Sequence, residues 1–166
     1  MLETDPKRIW ALQAETIDCF LGDRSQELDF WRRLSKRCGP RILALMAGTC
    51  EIPHALAGMA LRVAAIDYCR EMLDVAARRQ PHCDTLELIQ QDVTTLYLPG
   101  REFDLAYFGD GDLNRIDPPL RSETLARIRS ALAPGGGIAA ILCSPSPGSW
   151  EGAEQEVNSW GPPAEG

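Results

Sequence analysis

Arg41-Ile42-Leu43-Ala44-Leu45-Met46-Ala47-Gly48-Thr49-Cys50 is the stretch on which the fold turns. From Arg41 to Ala47 it is a short apolar run, bounded by Gly39-Pro40 before and Gly48 after. A run that is apolar without alternation suits a strand buried on both faces, as in a parallel sheet. The same texture returns further along. Leu61 to Ile66 ends in Asp67, and Leu86 to Gln91 alternates more and ends in Asp92. Phe103 to Phe108 and Gly137 to Cys143 complete the set.

Helical segments separate these runs. Ile52 to Met59 carries Pro53 in its first turn, where the missing N–H costs little. Arg70 to Arg79 turns Met72, Leu73 and Ala76 inward. A third segment has Asp117 as N-cap and Pro118-Pro119 in its first turn, and Pro134-Gly135-Gly136 stops it. Strand alternating with helix predicts βαβ units and an open parallel sheet. Upstream, Ile9, Trp10, Leu12, Ile17, Phe20 and Leu21 recur at helical spacing until Gly22-Asp23. Ser25 can cap a further helix carrying Leu28, Phe30, Trp31 and Leu34. The chain then divides into a helical cap (1–38), an α/β core (39–144) and a Pro/Gly-rich tail (145–166) that is expected to be partly disordered.

Composition narrows the function. The chain has 166 residues, 45% hydrophobic and 25% charged, as expected for one soluble globular domain. A net charge of -7 disfavours nucleic acid and anionic membrane, which need a basic face. No apolar run approaches the ~20 residues that span a bilayer. MLETDPKRIW lacks the pattern of a signal peptide, which predicts a cytoplasmic protein. The six cysteines form no CxxC pair and no zinc spacing with His54 or His82, so buried, reduced thiols and no metal are expected. The two histidines are expected at surface or boundary positions. Asp110-Gly111-Asp112-Leu113-Asn114 lacks the glutamate of a calcium loop and is expected to be a polar turn.

In open α/β sheets, ligands bind outside the carboxyl ends of the strands. Three such ends carry suggestive residues. Gly48 is the one glycine in the turn after the first run. Asp67 follows it by 19 residues and can accept hydrogen bonds from both ribose hydroxyls, or serve as a turn aspartate. Asp92-Val93 ends the third run and can face an adenine, or form an Asx turn.

The order and spacing of these pieces, from about Leu28 to Pro147, resemble a class I S-adenosylmethionine-dependent methyltransferase. Ile42 to Cys50 occupies the place of that family's first motif. Val63-Ala64-Ala65-Ile66-Asp67 with Glu71-Met72-Leu73 is similar to its second strand and following helix. Gln91-Asp92-Val93, Phe103-Asp104-Leu105 and Leu132-Ala133-Pro134-Gly135-Gly136 stand in its later motifs. A nicotinamide dehydrogenase lacks the Pro-Gly-Gly turn and carries more glycine in its first loop. The resemblance implies a Rossmann-like three-layer α/β sandwich with a mostly parallel sheet of about five strands, preceded by N-terminal helices. It implies S-adenosylmethionine as cofactor, with Gly48 beside the methionine part and Asp67 on the ribose. Tyr68 would flank the adenine, Asp92 and Val93 would recognise it, and Phe108 would line the mouth near the methyl group. N-terminal helices often cover this site, which makes Trp10, Phe20, Phe30 and Trp31 core or lid residues. A small-molecule methyl acceptor follows. No general base stands out, and Asp110 and Asp112 are nearest by position.

Several positions depart from the family pattern. An acidic residue usually stands where Ala44 is and helps hold the ligand's amino group. Losing a hydrogen bond to a charged group costs roughly 1.5–3 kcal/mol. Met46 and Cys50 replace glycines of the turn, and a side chain is penalised there if φ is positive. Met46 also occupies space near the ligand's tail, and Cys69 replaces a common capping serine. The family sheet continues past its fifth strand, and no run after Cys143 supplies more. The fifth strand is then an edge open to the tail with Trp150 and Trp160, to a second copy or to another partner. These departures keep an alternative alive: a non-catalytic methyltransferase-like binding or interaction protein that has lost its cofactor.

Overall fold

A computed structural model of the chain describes residues 6–79 and 83–143. His82, the tail from Ser144 and the expected cover by Trp150 and Trp160 lie outside the described residues.

Three helices come first: α1 (Pro6–Gln13), α2 (Ile17–Leu21) and α3 (Ser25–Cys38). Then follow β1 (Arg41–Leu45), α4 (Glu51–Ala57), β2 (Arg62–Asp67), α5 (Arg70–Arg79) and β3 (Leu86–Gln90). A 3₁₀ turn at Val93–Thr95 leads to β4 (Phe103–Phe108), α6 (Asp112–Arg115), α7 (Pro118–Ser130) and β5 (Leu132–Ala140). The sheet order is β3-β2-β1-β4-β5, and each pairing is parallel. The order reverses between β1 and β4, which places a crevice at their carboxyl ends.

Side chains alternate across the sheet and build two cores. On one face Ala44, Val63, Ala65, Leu105 and Tyr107 pack against Trp31 of α3, Leu56 of α4 and Leu73 of α5. On the other Leu43, Leu45, Ile66, Ala106 and Phe108 pack against Ile128 of α7 and the Val93–Leu96 segment. Helices on both faces of a parallel sheet are the Rossmann-like three-layer arrangement that the sequence implied. A third, small cluster joins α1 and α2 to α5 through Ala14, Cys69 and Met72.

Local differences from the sequence reading have local causes. The first helical pattern is two helices, because a turn at residues 14–16 closes with Thr16 N donating to the Gln13 carbonyl (2.9 Å). Ser25 does not cap α3. It is the first residue of the helix, Arg24 stands at the N-cap without a side-chain cap bond, and Asp23 Oδ1 accepts from Ser25 N at 2.9 Å just ahead of it. β5 starts at Leu132 rather than Gly137. Pro134-Gly135-Gly136 is an irregularity inside the strand, since Phe103 pairs with Leu132 while Leu105 pairs with Gly137. A Cβ on Gly136 would stand 2.7 Å from the Phe103 carbonyl oxygen. The polar stretch Asp110–Asn114 is a turn that opens α6. His54 is buried, its Nε2 2.9 Å from the Ala76 carbonyl oxygen, and so ties α4 to α5. All six cysteines are free, and burial holds for Cys50 and Cys69, whereas Cys19, Cys38 and Cys143 are exposed. Among the described residues no helix is long and apolar enough to cross a membrane.

Candidate cofactor and active site

A cleft of about 150 Å³ opens at the carboxyl ends of β1, β2 and β4. Its floor is the turn after β1. Met46, Gly48 and Cys50 stand at φ +54°, +53° and +59°. Two of these three left-handed positions carry side chains, a conformation that disfavours a non-glycine residue by roughly 1–2 kcal/mol. Four hydrogen bonds hold the turn in this shape. Ala47 N donates to the Ile66 carbonyl and Cys50 N to the Ala47 carbonyl, both at 2.9 Å. Gly48 N donates to Asp67 Oδ2 at 2.8 Å, and Thr49 Oγ1 to Asp18 Oδ1 at 2.5 Å. The turn thus keeps a glycine-loop path with one glycine. A Cβ at Gly48 would meet no atom within 4 Å, so its backbone faces open space. Burial pushes the Cys50 thiol up, which leaves it an inert packing group.

Asp67 ends β2 and lines the cleft at 7% exposure. Its Oδ2 takes the Gly48 N–H and its Oδ1 takes the Cys69 N–H at 2.8 Å. Desolvation pushes its carboxyl up, and these backbone donors pull against that shift. The Tyr68 N–H is a third backbone donor to this carboxylate, which with about four acceptor sites in all still keeps capacity for a further donor. Tyr68 also lines the cleft and is half-buried.

Four expected site residues sit elsewhere. Ala44 and Phe108 are fully buried, one in each core, so neither side chain lines the cleft. Strand alternation explains Phe108: its neighbour Tyr107 points to the cleft side and Phe108 to the opposite face. Val93 is buried in the second core. Asp92 Oδ1 accepts from Thr94 N at 2.9 Å and Thr94 Oγ1 at 2.7 Å, an Asx turn beyond the cleft lining.

The β4 side brings Asp110, Asp112 and Arg115 to the cleft. Asp110 stands at φ +44°, and Arg115 lies 3.8 Å from Asp110 Oδ2 and 3.7 Å from Asp112 Oδ1. Burial raises the Asp112 carboxyl to about 7, against the pull of Arg115 and with a push from Asp110 and Asp67. The Arg115 guanidinium sits 4.9 Å from the centre of the Trp10 ring, which closes the cleft from the N-terminal side. Sequence reasoning missed several lining residues, among them Arg24, Glu27 and Tyr107. Arg24 and Glu27 come from the start of α3, and Tyr107 from β4. The pairing of Tyr107 with Ala44 in adjacent strands was the signal that could have found the last.

Residues 42–136 match a family model described as a methyltransferase domain. The chain belongs to this family. A demethylmenaquinone methyltransferase from Clavibacter sepedonicus is 34% identical over 153 residues, covering 86% of this chain and 60% of that protein. One from Paenarthrobacter aurescens (strain TC1) is 31% identical over 111 residues, covering 64% of this chain and 42% of that protein. The chain therefore spans roughly half the length of these curated relatives. A solved structure described as a DhpI-SAM-HEP complex matches with TM-score 0.68 at 25% identity, covering 90% of this chain and 71% of that one.

S-adenosylmethionine needs acceptors for two ribose hydroxyls, open backbone beside its thioether chain and partners for a charged amino-acid end. In this methyltransferase domain Asp67 offers a buried carboxylate with acceptor capacity beyond its backbone donors, and Gly48 offers the open backbone. The residues present fit the group at these points. Ala44 brings no acid for the amino group.

Proposed function

We propose that the chain binds S-adenosylmethionine and transfers its methyl group to a small molecule. Asp67 carries this reading: a carboxylate at 7% exposure, fixed by Gly48 and Cys69 N–H groups, faces the crevice where strand order reverses. Asp67 receives the ribose hydroxyls, Gly48 flanks the thioether chain and Tyr68 covers the adenine. Asp92 lies beyond the cleft lining, so its use of Oδ1 in an Asx turn leaves it outside this reading of the site.

The bound group supplies a methyl carbon made electrophilic by a positively charged sulfur. The chain contributes orientation, which lowers the barrier by converting a bimolecular encounter into an intramolecular one. Asp112 would take the proton that the acceptor atom gives up on methylation, with the bound group left as its neutral thioether. A carboxyl titrating at about 7 is suited to that step at neutral pH. The two similar demethylmenaquinone methyltransferases make a demethylmenaquinone-type aromatic the first acceptor to assay. The retained positive φ at Met46, Gly48 and Cys50 supports a working loop over a decayed one.

Calorimetry with S-adenosylmethionine and its demethylated product, S-adenosylhomocysteine, tests the reading. A micromolar constant (about -8 kcal/mol) that weakens at least ~100-fold in Asp67→Ala is expected, since that variant strips acceptors from buried donors. No heat of binding at millimolar ligand would sink it.

A further inference from the structure

We infer that the amino-acid end of the cofactor is held by Tyr107, Glu27 and Arg24, a clamp that replaces the acid missing at position 44. The inference rests on the reading of the chain as an S-adenosylmethionine-binding protein.

Ala44 and Tyr107 are register partners on adjacent parallel strands, so their side chains share a face. Where the family pattern has an acidic side chain on β1, this chain has a methyl group on β1 and a phenol beside it on β4. The Tyr107 ring is held by Trp31, with centroids 4.4 Å apart. Tyr107 is 4% exposed and lines the cleft, yet its hydroxyl has no hydrogen-bond partner among the described residues. A buried hydroxyl left unpaired is destabilising, and native structures seldom leave one so without a ligand or water to take it. Desolvation pushes the phenol well up, so it is neutral and can both donate and accept.

Glu27 and Arg24 stand beside it. Both line the cleft, and both act on the Tyr107 phenol through their charge. Glu27 Oε1 accepts from Trp31 Nε1 at 3.0 Å, and its Oε2 accepts from Arg24 Nε at 2.9 Å and Nη2 at 2.6 Å. The side chain of each partner is 17% exposed. Gly109 makes room for the pair: a Cβ there would lie 2.9 Å from Glu27 Oε1 and 3.5 Å from Arg24 Nη2.

Position settles which end of the ligand this group meets. Asp67 fixes the ribose at the end of β2, and Gly48 lies at the end of β1. The next strand across is β4, with Tyr107 on it. A ligand laid from β2 across β1 brings its amino-acid end to β4. That end carries an ammonium and a carboxylate. Glu27 and the Tyr107 oxygen accept from the first, and Arg24 donates to the second. The ammonium thus meets a carboxylate and a neutral hydroxyl, and the carboxylate meets a guanidinium, each charge facing its opposite.

The test compares two ligands by calorimetry: S-adenosylhomocysteine, and methylthioadenosine, which keeps the nucleoside and sulfur but lacks the amino-acid end. The wild-type protein should prefer S-adenosylhomocysteine by at least ~10-fold, the yield of one or two charge-assisted hydrogen bonds. Tyr107→Phe and Arg24→Gln should each shrink that preference several-fold and leave methylthioadenosine binding unchanged. Tyr107→Phe should also melt, without ligand, at the same temperature or higher, because it deletes an unpaired hydroxyl. A preference that is absent in the wild type, or equal in all three proteins, overturns the clamp while leaving cofactor binding intact. Weakening of both ligands together with a lower melting temperature overturns it too, by showing a structural role. Binding of neither ligand to the wild type overturns the clamp and the cofactor reading beneath it.

Discussion

Asp112 shows what burial does to one side chain. Its carboxyl is shifted from 3.8 to about 7, chiefly by desolvation, so the folded protein holds a proton that the unfolded chain has released. Between those two values the native state binds one proton more, and stability therefore falls as pH rises through that window. Below it both states are protonated, and above it both are ionised. Asp112→Asn removes the ionised form. Its melting temperature should exceed that of the wild type by a few degrees at pH 8, and the gap should close toward pH 4. Scanning calorimetry at the two pH values reads this directly. In catalysis the same proton has the opposite sign. kcat/KM should climb with pH until Asp112 is ionised near 7, then level off. Asp112→Asn should lower kcat by ~100-fold or more, the usual size of a lost general base, and abolish that rising limb. Asp67 is also shifted upward by burial, so the variant rather than the wild-type profile assigns the limb. A rising limb that persists in Asp112→Asn removes this residue from proton transfer.

At the scale of elements, the turn after β1 is where the backbone path and the residues occupying it disagree twice over. Met46 and Cys50 take the left-handed φ of a glycine loop without being glycines. Met46→Gly relieves roughly 1–2 kcal/mol of backbone strain. It also removes a half-buried side chain that packs against the second core. The two effects oppose each other, so the melting temperature should move little. The cleft gains the volume of the methionine side chain beside the thioether path, and affinity for S-adenosylhomocysteine should rise several-fold by calorimetry. Unchanged affinity in a folded variant would show that Met46 already stands clear of the ligand. The sequence made this conflict visible because both the required conformation and the wrong residue types are local. The bounds of α5 and β4 were legible for the same reason: short apolar runs and a clear inner face of Met72, Leu73 and Ala76 leave few alternatives. The break between α1 and α2 was not, since no Gly or Pro marks residues 14–16. Pro134-Gly135-Gly136 misled because the same residues serve a turn or a bulge, and only the partner strand decides between them. Arg24, Glu27 and Tyr107 stayed hidden because they meet only after β4 has docked beside β1 and α3 has packed over it.

At the scale of the whole molecule, the N-terminal helices α1 and α2 lie at the cleft and attach to the rest of the domain through a small contact set. Their apolar contact is the small cluster around Ala14, Cys69 and Met72. Polar ties supplement it: Glu15 with Arg78, Asp18 with Arg79 and Thr49, and Arg115 against Trp10. Partly exposed ion pairs contribute about 0–1 kcal/mol each and weaken with salt. These helices should therefore open at far lower free energy than the sheet. Trp10 and Ile17 nevertheless line the cleft, so a ligand there touches the helices and the core at once. It binds the closed form better and shifts the population toward it. Hydrogen exchange followed by mass spectrometry should show α1 and α2 amides exchanging quickly in the free protein, and faster still in high salt. At ~100 times the dissociation constant, S-adenosylhomocysteine should stabilise the closed form by about 2.7 kcal/mol, a ~100-fold slowing. β1 amides, which exchange through global unfolding, should slow by a similar factor. The contrast between helices and sheet decides the question. If β1 slows and α1–α2 do not, the ligand binds open and closed forms equally, and these helices flank the site without closing over it.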